Sequence, residues 1–347
     1  MKCIKVFLNI SKKLISRRYF LLLIAGIPIS SSWAITVDLT RGGESISILQ
    51  SSMYPETIVF NKNNGRYLLG SFREGKIYEL NDEGLYRVLV DDERLSSILG
   101  ITIDYERNRI YVTNADIGAS LKSHKNGPKK LAAVGIYELN SGNAIDYIDL
   151  GDLLPNNSHL TNGIALDTDG NVYVSDSFSA AIYKIDFKGK ANVFLKNKEF
   201  EGEGINLNGI VYHNGGFLLV INKRNGQLYK IPLDKPEEFI KIKSSVKLVG
   251  GDGLLLADDN SLLIVANITS GIKSNSIYSV TTEDNWNSMV VANRRKLDDI
   301  YPTTLVIKEG KIFVLQSSLN KLITSSKLDK EKLRSDVIIT QVGITSP

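Results

Sequence analysis

Residues 161–176 read TNGIALDTDGNVYVSD, and this stretch indicates how most of the chain folds. Two short apolar runs, residues 161–166 and 172–176, flank a segment of Asp, Thr, Gly and Asn, residue types that favour tight turns. Runs of about five residues that are rich in Val, Ile and Tyr and bounded by turn formers are typical of β-strands. The stretch therefore predicts two strands joined by a short turn.

Apolar runs that end in a small polar residue recur along the chain. Most are followed by a second run centred on tyrosine, and three successive gaps between those tyrosines are 46, 46 and 49 residues. Short strands at this period are typical of four-stranded propeller blades, whereas helical solenoids are disfavoured because turn formers interrupt the runs every 5 to 8 residues. Six repeats predict an all-β fold, a six-bladed β-propeller. The runs are residues 67–71, 110–114, 172–176, 218–222, 263–267 and 312–316, and the tyrosines are Tyr78, Tyr137, Tyr183, Tyr229 and Tyr278.

The first 34 residues differ from the rest of the chain. They contain six Lys or Arg residues and no acid, and the apolar run 19–29 follows the last of these basic residues. This layout is typical of a signal peptide, and the small residues Ser32 and Ala34 indicate cleavage after Ala34. A run of 11 residues is too short to cross a bilayer core that needs roughly 20 helical residues. A permanent membrane anchor is therefore the minor interpretation.

Arg17 and Arg18 stand directly before the apolar run, within SRRYFL, which resembles the twin-arginine export motif. Twin-arginine export and ordinary secretion both remain open on the sequence. Either route predicts a periplasmic or secreted protein, in which residues 35–347 form a single propeller domain.

The composition of the mature chain limits its partners. Loss of residues 1–34 changes the formal net charge from +4 to −2. We therefore expect no nucleic-acid or membrane partner after cleavage, because such partners need a basic face. The only cysteine, Cys3, lies in the same segment, which excludes disulfides, thiolate metal sites and a cysteine nucleophile from the mature protein. The remaining chain is long enough to form a large core without disulfides, and we expect a monomer.

Four hard oxygen donors stand just before strand-like runs. The innermost strand of each propeller blade starts near the central axis, so residues at its entrance in different blades meet at one channel mouth. Two carboxylates and two amides carry a total charge of −2, which matches a divalent hard cation. Ca²⁺ is the first choice, with Mg²⁺ or Mn²⁺ as alternatives; zinc is disfavoured because cysteine is absent and histidine is scarce. The four residues are Glu56, Asn162, Asn208 and Asp252.

Tight turns are the alternative interpretation of three of these residues. Asn-Gly and Asp-Gly pairs commonly form the turns that start strands, which accounts for Asn162, Asn208 and Asp252 one by one. Turns do not account for their common phase, with spacings of 46 and 44 residues, or for Glu56, which no glycine follows. The spacing favours a metal site and leaves the turn interpretation open.

At these residues the chain resembles the regucalcin/gluconolactonase family of six-bladed propellers. The resemblance covers most of residues 50–320, and the stretch from Asn208 to Gly253 is similar to a branch described as calcium-dependent phosphotriesterase-like. It rests on Pro55-Glu56, Asn162-Gly163-Ile164-Ala165 with Asp169-Gly170-Asn171, Asn208-Gly209-Ile210 and Asp252-Gly253-Leu254.

The resemblance implies a lactonase or a related ester hydrolase with a divalent cation, commonly calcium, above the channel. By the same resemblance, the cation is bound by Glu56, Asn162, Asn208 and Asp252. The chain departs from the family at residues 57–60, TIVF, where an aromatic-rich segment usually follows the first Pro-Glu. The residues that contact the sugar in gluconolactonases have no match either, so the resemblance does not extend to a sugar-lactone substrate.

Calcium in such a site polarises a lactone or ester carbonyl and lowers the pKa of a bound water. We expect Asp252 or Glu56 to act as the general base, with a nearby histidine as the alternative. The three histidines of the chain are His124, His159 and His213. Four polar residues that end the second strands are expected either to support the site or to cap turns: Asn114, Asp176, Asn222 and Asn267.

Two segments stand outside the repeat. Residues 115–134 form a long loop in the second blade, either a substrate-facing lid or a solvated excursion. The apolar run 337–342 near the C-terminus predicts ring closure by strand pairing with the N-terminal segment 34–49, in which residues 35–39 are the expected strand.

The sequence thus predicts an exported, metal-dependent hydrolase that acts on a small-molecule lactone or related ester. The alternative is a non-catalytic propeller that binds a small molecule or a protein and retains the ion for structure. A well-placed base beside the ion distinguishes these two classes.

Overall fold

The computed structural model describes residues 43–123, 128–297, 301–325 and 332–343. Within these ranges the chain forms six four-stranded sheets in a ring around one channel, so the predicted six-bladed β-propeller is confirmed. The predicted signal peptide at residues 1–34, the strand expected at residues 35–39 and His124 lie outside the described residues. Across the described ranges, no helix has the length and apolar character needed to cross a membrane.

Each blade consists of four strands that follow one another in the chain, except that blade 6 takes its outermost strand from the N-terminal side. Short 3-10 helices at Gly151–Leu153, Lys198–Phe200 and Pro236–Glu238 lie in the connections. The elements in chain order are β1 (Ser45–Ser51); in blade 1, β2 (Pro55–Asn61), β3 (Arg66–Ser71), β4 (Lys76–Leu80) and β5 (Tyr86–Asp91); in blade 2, β6 (Ser97–Asp104), β7 (Arg109–Ala115), β8 (Ala132–Glu138) and β9 (Ala144–Asp149); in blade 3, β10 (Thr161–Leu166), β11 (Val172–Asp176), β12 (Ala181–Ile185) and β13 (Ala191–Lys196); in blade 4, β14 (Leu207–His213), β15 (Phe217–Asn222), β16 (Gln227–Pro232) and β17 (Ile240–Lys241); in blade 5, β18 (Gly251–Leu256), β19 (Leu262–Thr269), β20 (Ile272–Thr281) and β21 (Val290–Lys296); and in blade 6, β22 (Tyr301–Lys308), β23 (Lys311–Ser317), α1 (Leu319–Thr324) and β24 (Ser335–Val342).

The repeated tyrosines form part of the core between neighbouring blades. All five lie in third strands, namely β4, β8, β12, β16 and β20, and all five are buried. Each ring belongs to an apolar cluster shared by two adjacent blades. A buried tyrosine also needs a partner for its hydroxyl group, and Tyr137 donates to the Asp92 carboxylate at 3.0 Å. The period seen in the sequence is therefore the period of blade-to-blade packing.

The ring closes by pairing the two ends of the described chain. β1 is the outer strand of blade 6 and pairs antiparallel with β24, for example Ile48 opposite Val337. The predicted closing strand at residues 337–342 is confirmed, and its partner is β1, which overlaps the expected segment 34–49 but lies C-terminal to the stretch 35–39 within it. The reason is the alternation of Ser and Ile in residues 45–48, which buries Ile46 and Ile48 against the core between blades 6 and 1.

The inner strands β2, β6, β10, β14, β18 and β22 all start at one end of the channel, which we call the donor end. A cluster of apolar residues, the apolar cap, lies at this end and receives side chains from all six blades. The long loop of blade 2 contributes Ala119 to the cap, and its Leu121 N–H donates to the Arg73 carbonyl at 2.7 Å. The described part of this loop therefore packs on the protein at the donor end. Cap members include Tyr54, Phe72, Leu99, Leu160, Phe178, Ile205, Ile268, Tyr301, Leu319 and Leu322.

Candidate metal-binding site

The four predicted metal ligands occupy one structural position in four blades. Near its start, each inner strand shifts register against the second strand, in β10 between Thr161 and Ile164 for example. Such a β-bulge leaves a residue unpaired and re-aims its side chain. Leu99 and Thr303 occupy the corresponding positions in blades 2 and 6. The predicted ligands at the other four shifts are Glu56 in β2, Asn162 in β10, Asn208 in β14 and Asp252 in β18.

The glycines that follow three of the ligands serve blade packing and not turn formation. Gly163, Gly209 and Gly253 lie inside the inner strands and have no left-handed backbone conformation. A Cβ atom on these glycines would lie 2.5, 2.2 and 2.6 Å, respectively, from a backbone carbonyl oxygen of the next blade. Only glycine allows this approach without a shift of the neighbouring strand. The Asn-Gly and Asp-Gly pairs are thus explained without turns.

Hydrogen bonds between blades fix the backbone of the ligands. The Ser175 hydroxyl accepts from the Gly163 N–H at 3.0 Å and donates to the Asn208 carbonyl of the next blade. Thr113 makes the same link one blade earlier, with a 2.8 Å hydrogen bond to the Asn162 carbonyl. These second-strand hydroxyls hold Asn162 and Asn208 in register with the preceding blade.

The four candidate ligands face a single cavity of about 220 Å³ inside the channel, and all six inner strands line it. The oxygen donors lie at its donor end, where each inner strand begins. Beyond them the walls are largely aliphatic, so the cavity has one polar end and an apolar body. Aliphatic lining residues include Ile58, Ile101, Ile164, Ile210 and Leu254.

Asp252 is held on one side and open on the other. Its Oδ2 accepts hydrogen bonds from the Lys223 ammonium, with an Nζ–Oδ2 distance of 2.9 Å, and from the Asn267 amide. Asn267 also donates to the Pro302 carbonyl at 2.8 Å, which ties blade 5 to blade 6. The buried Oδ1 of Asp252 has no hydrogen-bond partner among the described residues. This oxygen is therefore available to a ligand.

Glu56 is buried beside Asp252, and its protonation depends on that neighbour. Burial, and next the negative charge of Asp252, raise the pKa of Glu56 well above the usual value of 4.5, while Lys223 opposes the rise. Its Oε2 is buried without a hydrogen-bond partner in the described part of the chain. A buried carboxylate oxygen without a partner is unfavourable, and a bound cation removes that penalty.

Lys223 is a cation inside the site. Its side chain is 4% exposed and extends from the residue after β15 toward Asp252 and the Tyr301 hydroxyl, with an Nζ–Oη distance of 3.5 Å. Burial lowers the pKa of Lys223, but Asp252, Tyr301 and Glu56 outweigh that effect and leave the pKa above its usual value. Burial also raises the pKa of Tyr301 to about 12, against the opposing charge of Lys223. The lysine is therefore charged at neutral pH.

The donor set fits a hard divalent cation. Two buried carboxylate oxygens lack partners, and Asn162 donates from its amide nitrogen to Ser177 at 3.2 Å, which leaves its amide oxygen for a ligand. In the described ranges, no group of three or more His, Cys, Asp or Glu side chains is placed to hold a metal. A cation here would therefore depend on the Asn oxygens as well as on the two carboxylates, as hard-cation sites commonly do.

The two described histidines lie outside the cavity and contact other parts of the protein. His159 is buried next to blade 3, where Nδ1 lies 2.8 Å from Asp176 Oδ2 and Nε2 lies 3.1 Å from the Leu154 carbonyl. His213 stacks on Phe217 near the far end of β14. Neither histidine lines the cavity. Of the candidate bases, Asp252 and Glu56 are the ones that face it.

One of the four polar strand ends reaches the site. Asn267 bonds to Asp252, whereas Asp176 bonds to His159, Asn114 bonds to the backbone of Ser96 and Asn222 accepts from nearby backbone N–H groups. The sequence argument missed Lys223. Comparing the repeats at the position after each polar strand end would have singled it out, because it is the one charged residue among Phe72, Ala115, Ser177, Lys223, Ile268 and Ser317.

Comparison with known proteins supports the fold. No protein-family model and no curated protein matches the chain. Among solved structures, the chain is similar to Mala s 1, a major allergen of Malassezia sympodialis, with 15% identity, coverage of 86% of this chain and 96% of that chain, and a TM-score of 0.66. It is also similar to virginiamycin B lyase from Staphylococcus aureus, with 14% identity, coverage of 79% and 84%, and a TM-score of 0.56. A gluconolactonase from Xanthomonas campestris has 8% identity, coverage of 90% and 97%, and a TM-score of 0.57. At these identities the likeness supports the propeller fold of the chain and no more.

Proposed function

We propose that the protein is a divalent-metal-dependent hydrolase of a lactone or related ester, with calcium as the expected cation and Mg²⁺ or Mn²⁺ as alternatives. The observation that carries the proposal is the pair of buried carboxylate oxygens without partners, on Glu56 and Asp252, which face one cavity together with Asn162 and Asn208. The resemblance of these positions to the regucalcin/gluconolactonase family supports the same assignment.

In this proposal Asp252 and Glu56 have different roles in ester hydrolysis. A cation at these donors supplies polarisation of the substrate carbonyl and a lower pKa for water. Asp252 is held by Lys223 and Asn267, which suits a fixed ligand. Glu56 has a raised pKa and an Oε2 without a partner among the described residues, which suits a group that exchanges a proton with water.

The cavity limits the substrate. A space of about 220 Å³ with aliphatic walls holds a small molecule with a hydrocarbon part, and its polar end lies at the donors. We propose that an ester or lactone carbonyl binds at Glu56 and Asp252 and that the aliphatic walls keep bulk water from the rest of the substrate.

Hydrolysis of a panel of lactones and aryl esters tests the proposal. The purified protein is assayed with calcium and with a chelator, beside Glu56→Gln and Asp252→Asn. A matched control is Asp167→Asn, which changes a buried carboxyl group just after β10 that does not line the cavity. We expect calcium-dependent turnover in the wild type and the control and its loss in both site variants. Turnover that ignores the chelator, or that survives Glu56→Gln and Asp252→Asn, would overturn the proposal.

A second function, binding without catalysis, has an observation in its favour. The apolar cap lies at the donor end, and Lys223 already supplies Asp252 with a positive charge. A propeller that binds a small apolar molecule or a protein would have such features. Calcium binding without turnover of any ester in the panel would favour this function.

We further propose that the protein is exported and acts as a monomer in the periplasm or outside the cell. The charge pattern and the short apolar run of residues 1–34 support export. Sedimentation of the mature protein as a dimer would contradict the monomer.

A further inference from the structure

The four oxygen donors Glu56, Asn162, Asn208 and Asp252, which we call the donor ring, have a positive charge beside them. The resemblance of these donors to a metal site does not account for it. Lys223 Nζ lies 2.9 Å from Asp252 Oδ2 and 5.6 Å from the centre of the Tyr301 ring. The side chain is almost completely buried, so the ammonium is not a solvated surface group that happens to lie nearby.

The backbone of Lys223 is anchored on both sides. Its N–H donates to the Asn206 carbonyl at 2.8 Å, and its carbonyl accepts from the Gly250 N–H at 2.8 Å. These bonds connect blade 4 to the segments that lead into β14 and β18, the strands of Asn208 and Asp252. The backbone of Lys223 is therefore fixed, and only its four-carbon side chain is flexible. The fold thus positions the ammonium group beside the donor ring.

The charges at the ring explain what the ammonium does in the absence of a metal. Glu56 and Asp252 are buried together, and the charge of Asp252 disfavours a negative charge on Glu56. Lys223 supplies one positive charge at Asp252 and so partly neutralises the pair. A divalent cation at the open oxygens would bring two positive charges close to this ammonium, and the repulsion between them is strong where water is excluded.

We propose that Lys223 is a tethered cation that competes with a divalent metal ion for Asp252 and thereby sets the metal affinity of the site. This inference rests on the proposed function, since it assumes that Glu56, Asn162, Asn208 and Asp252 are the metal ligands. Metal binding requires the ammonium to withdraw from Asp252 or to remain beside a second cation, and either one lowers the affinity. Removal of the ammonium therefore raises it.

Calorimetric titration of metal-free protein with calcium chloride tests this inference. Lys223→Gln removes the charge and retains a hydrogen-bond donor for Asp252, and Lys223→Met removes both. We expect calcium affinity in both variants to rise by about tenfold or more over the wild type. The matched control is Lys308→Gln, at the other end of the strand that starts with Tyr301; Lys308 is paired with Asp82 and should leave the calcium affinity unchanged.

Thermal unfolding with and without calcium keeps the test valid if a variant is less stable. We expect Lys223→Gln and Lys223→Met to unfold at lower temperature than the wild type without metal and to gain more from calcium. A variant that folds only in calcium would support the inference, because it would show metal replacing the ammonium.

The other outcomes are distinct. Equal affinity in the wild type and both variants would overturn the role of Lys223 and leave the metal-dependent hydrolase standing, and lost affinity would show that Lys223 positions Asp252 instead. Binding by the variants but not by the wild type would support the tethered cation and overturn the metal-dependent hydrolase. No binding by any of the proteins would overturn both.

Discussion

An alanine at position 209 tests how the fold positions the site. A Cβ atom there would lie 2.2 Å from the Asp252 carbonyl oxygen and 2.7 Å from a Leu254 side-chain carbon, whereas real Cβ contacts are not shorter than 3.0 Å. β14 and β18 must therefore move apart by at least 0.8 Å at this point. Over-packing of this kind costs about 1–3 kcal/mol. At roughly 2 °C per kcal/mol for a large domain, the melting temperature falls by about 2–6 °C.

The same substitution should weaken calcium binding, because the two strands that must separate carry Asn208 and Asp252. Scanning calorimetry measures the melting temperature, and titration calorimetry on the same preparation measures the calcium affinity. Gly343→Ala is the control, since a Cβ there meets its nearest atom at 3.9 Å and the backbone is not left-handed. If Gly209→Ala unfolds at the wild-type temperature and binds calcium as well as the wild type does, the packing argument is wrong.

Three further predictions follow from the site and the chain. The raised pKa of Glu56 stabilises the metal-free protein at pH values below 4.5, the usual pKa, and this contribution is lost as the pH rises through the raised pKa. Over that pH range the melting temperature of the wild type should therefore fall more than that of Glu56→Gln. Parallel plots of melting temperature against pH for the two proteins would contradict the shift. Ser175→Ala removes the link to the Gly163 N–H and the Asn208 carbonyl and should lower stability by about 1–3 kcal/mol in chemical denaturation; an unchanged midpoint would show that the link is dispensable. Export should remove residues 1–34, so N-terminal sequencing of the mature protein should begin at Ile35, and an intact Met1 would refute cleavage.

The propeller could be predicted because its repeat is visible in the residues that pack between blades. Tyr137, Tyr183 and Tyr229 recur at equal spacing, and each fills the same position of a blade. The phase of Asn162, Asn208 and Asp252 likewise follows from the repeat. The repeat does not reveal the β-bulges that re-aim these side chains. It also does not reveal the backbone carbonyl of the next blade, which leaves room only for glycine at the position after each of them.

Features that occur once show up in a periodic argument only as departures from the repeat, and the contacts that they make do not show up at all. Lys223 belongs to a single blade, and its partner Asp252 lies 29 residues further along the chain, so nothing local connects them. The choice of β1 as the closing strand depends on the register of Ile46 and Ile48 against β24, which forms only when both chain ends meet. Sequence reasoning thus finds what is repeated, and the structure adds the contacts that are unique.

The most direct test of the central claim, a divalent cation held by Glu56, Asn162, Asn208 and Asp252, is the calcium dependence of the melting temperature in wild type, Asp252→Asn and Asn208→Ala. If the four residues share one ion, the wild-type melting temperature rises with the logarithm of calcium concentration once the site begins to saturate. Asp252→Asn should lose this response, and Asn208→Ala should keep a weaker one, because it removes a neutral donor. The control Asp167→Asn should respond as the wild type does. Equal calcium stabilisation in the wild type and both site variants would contradict the claim.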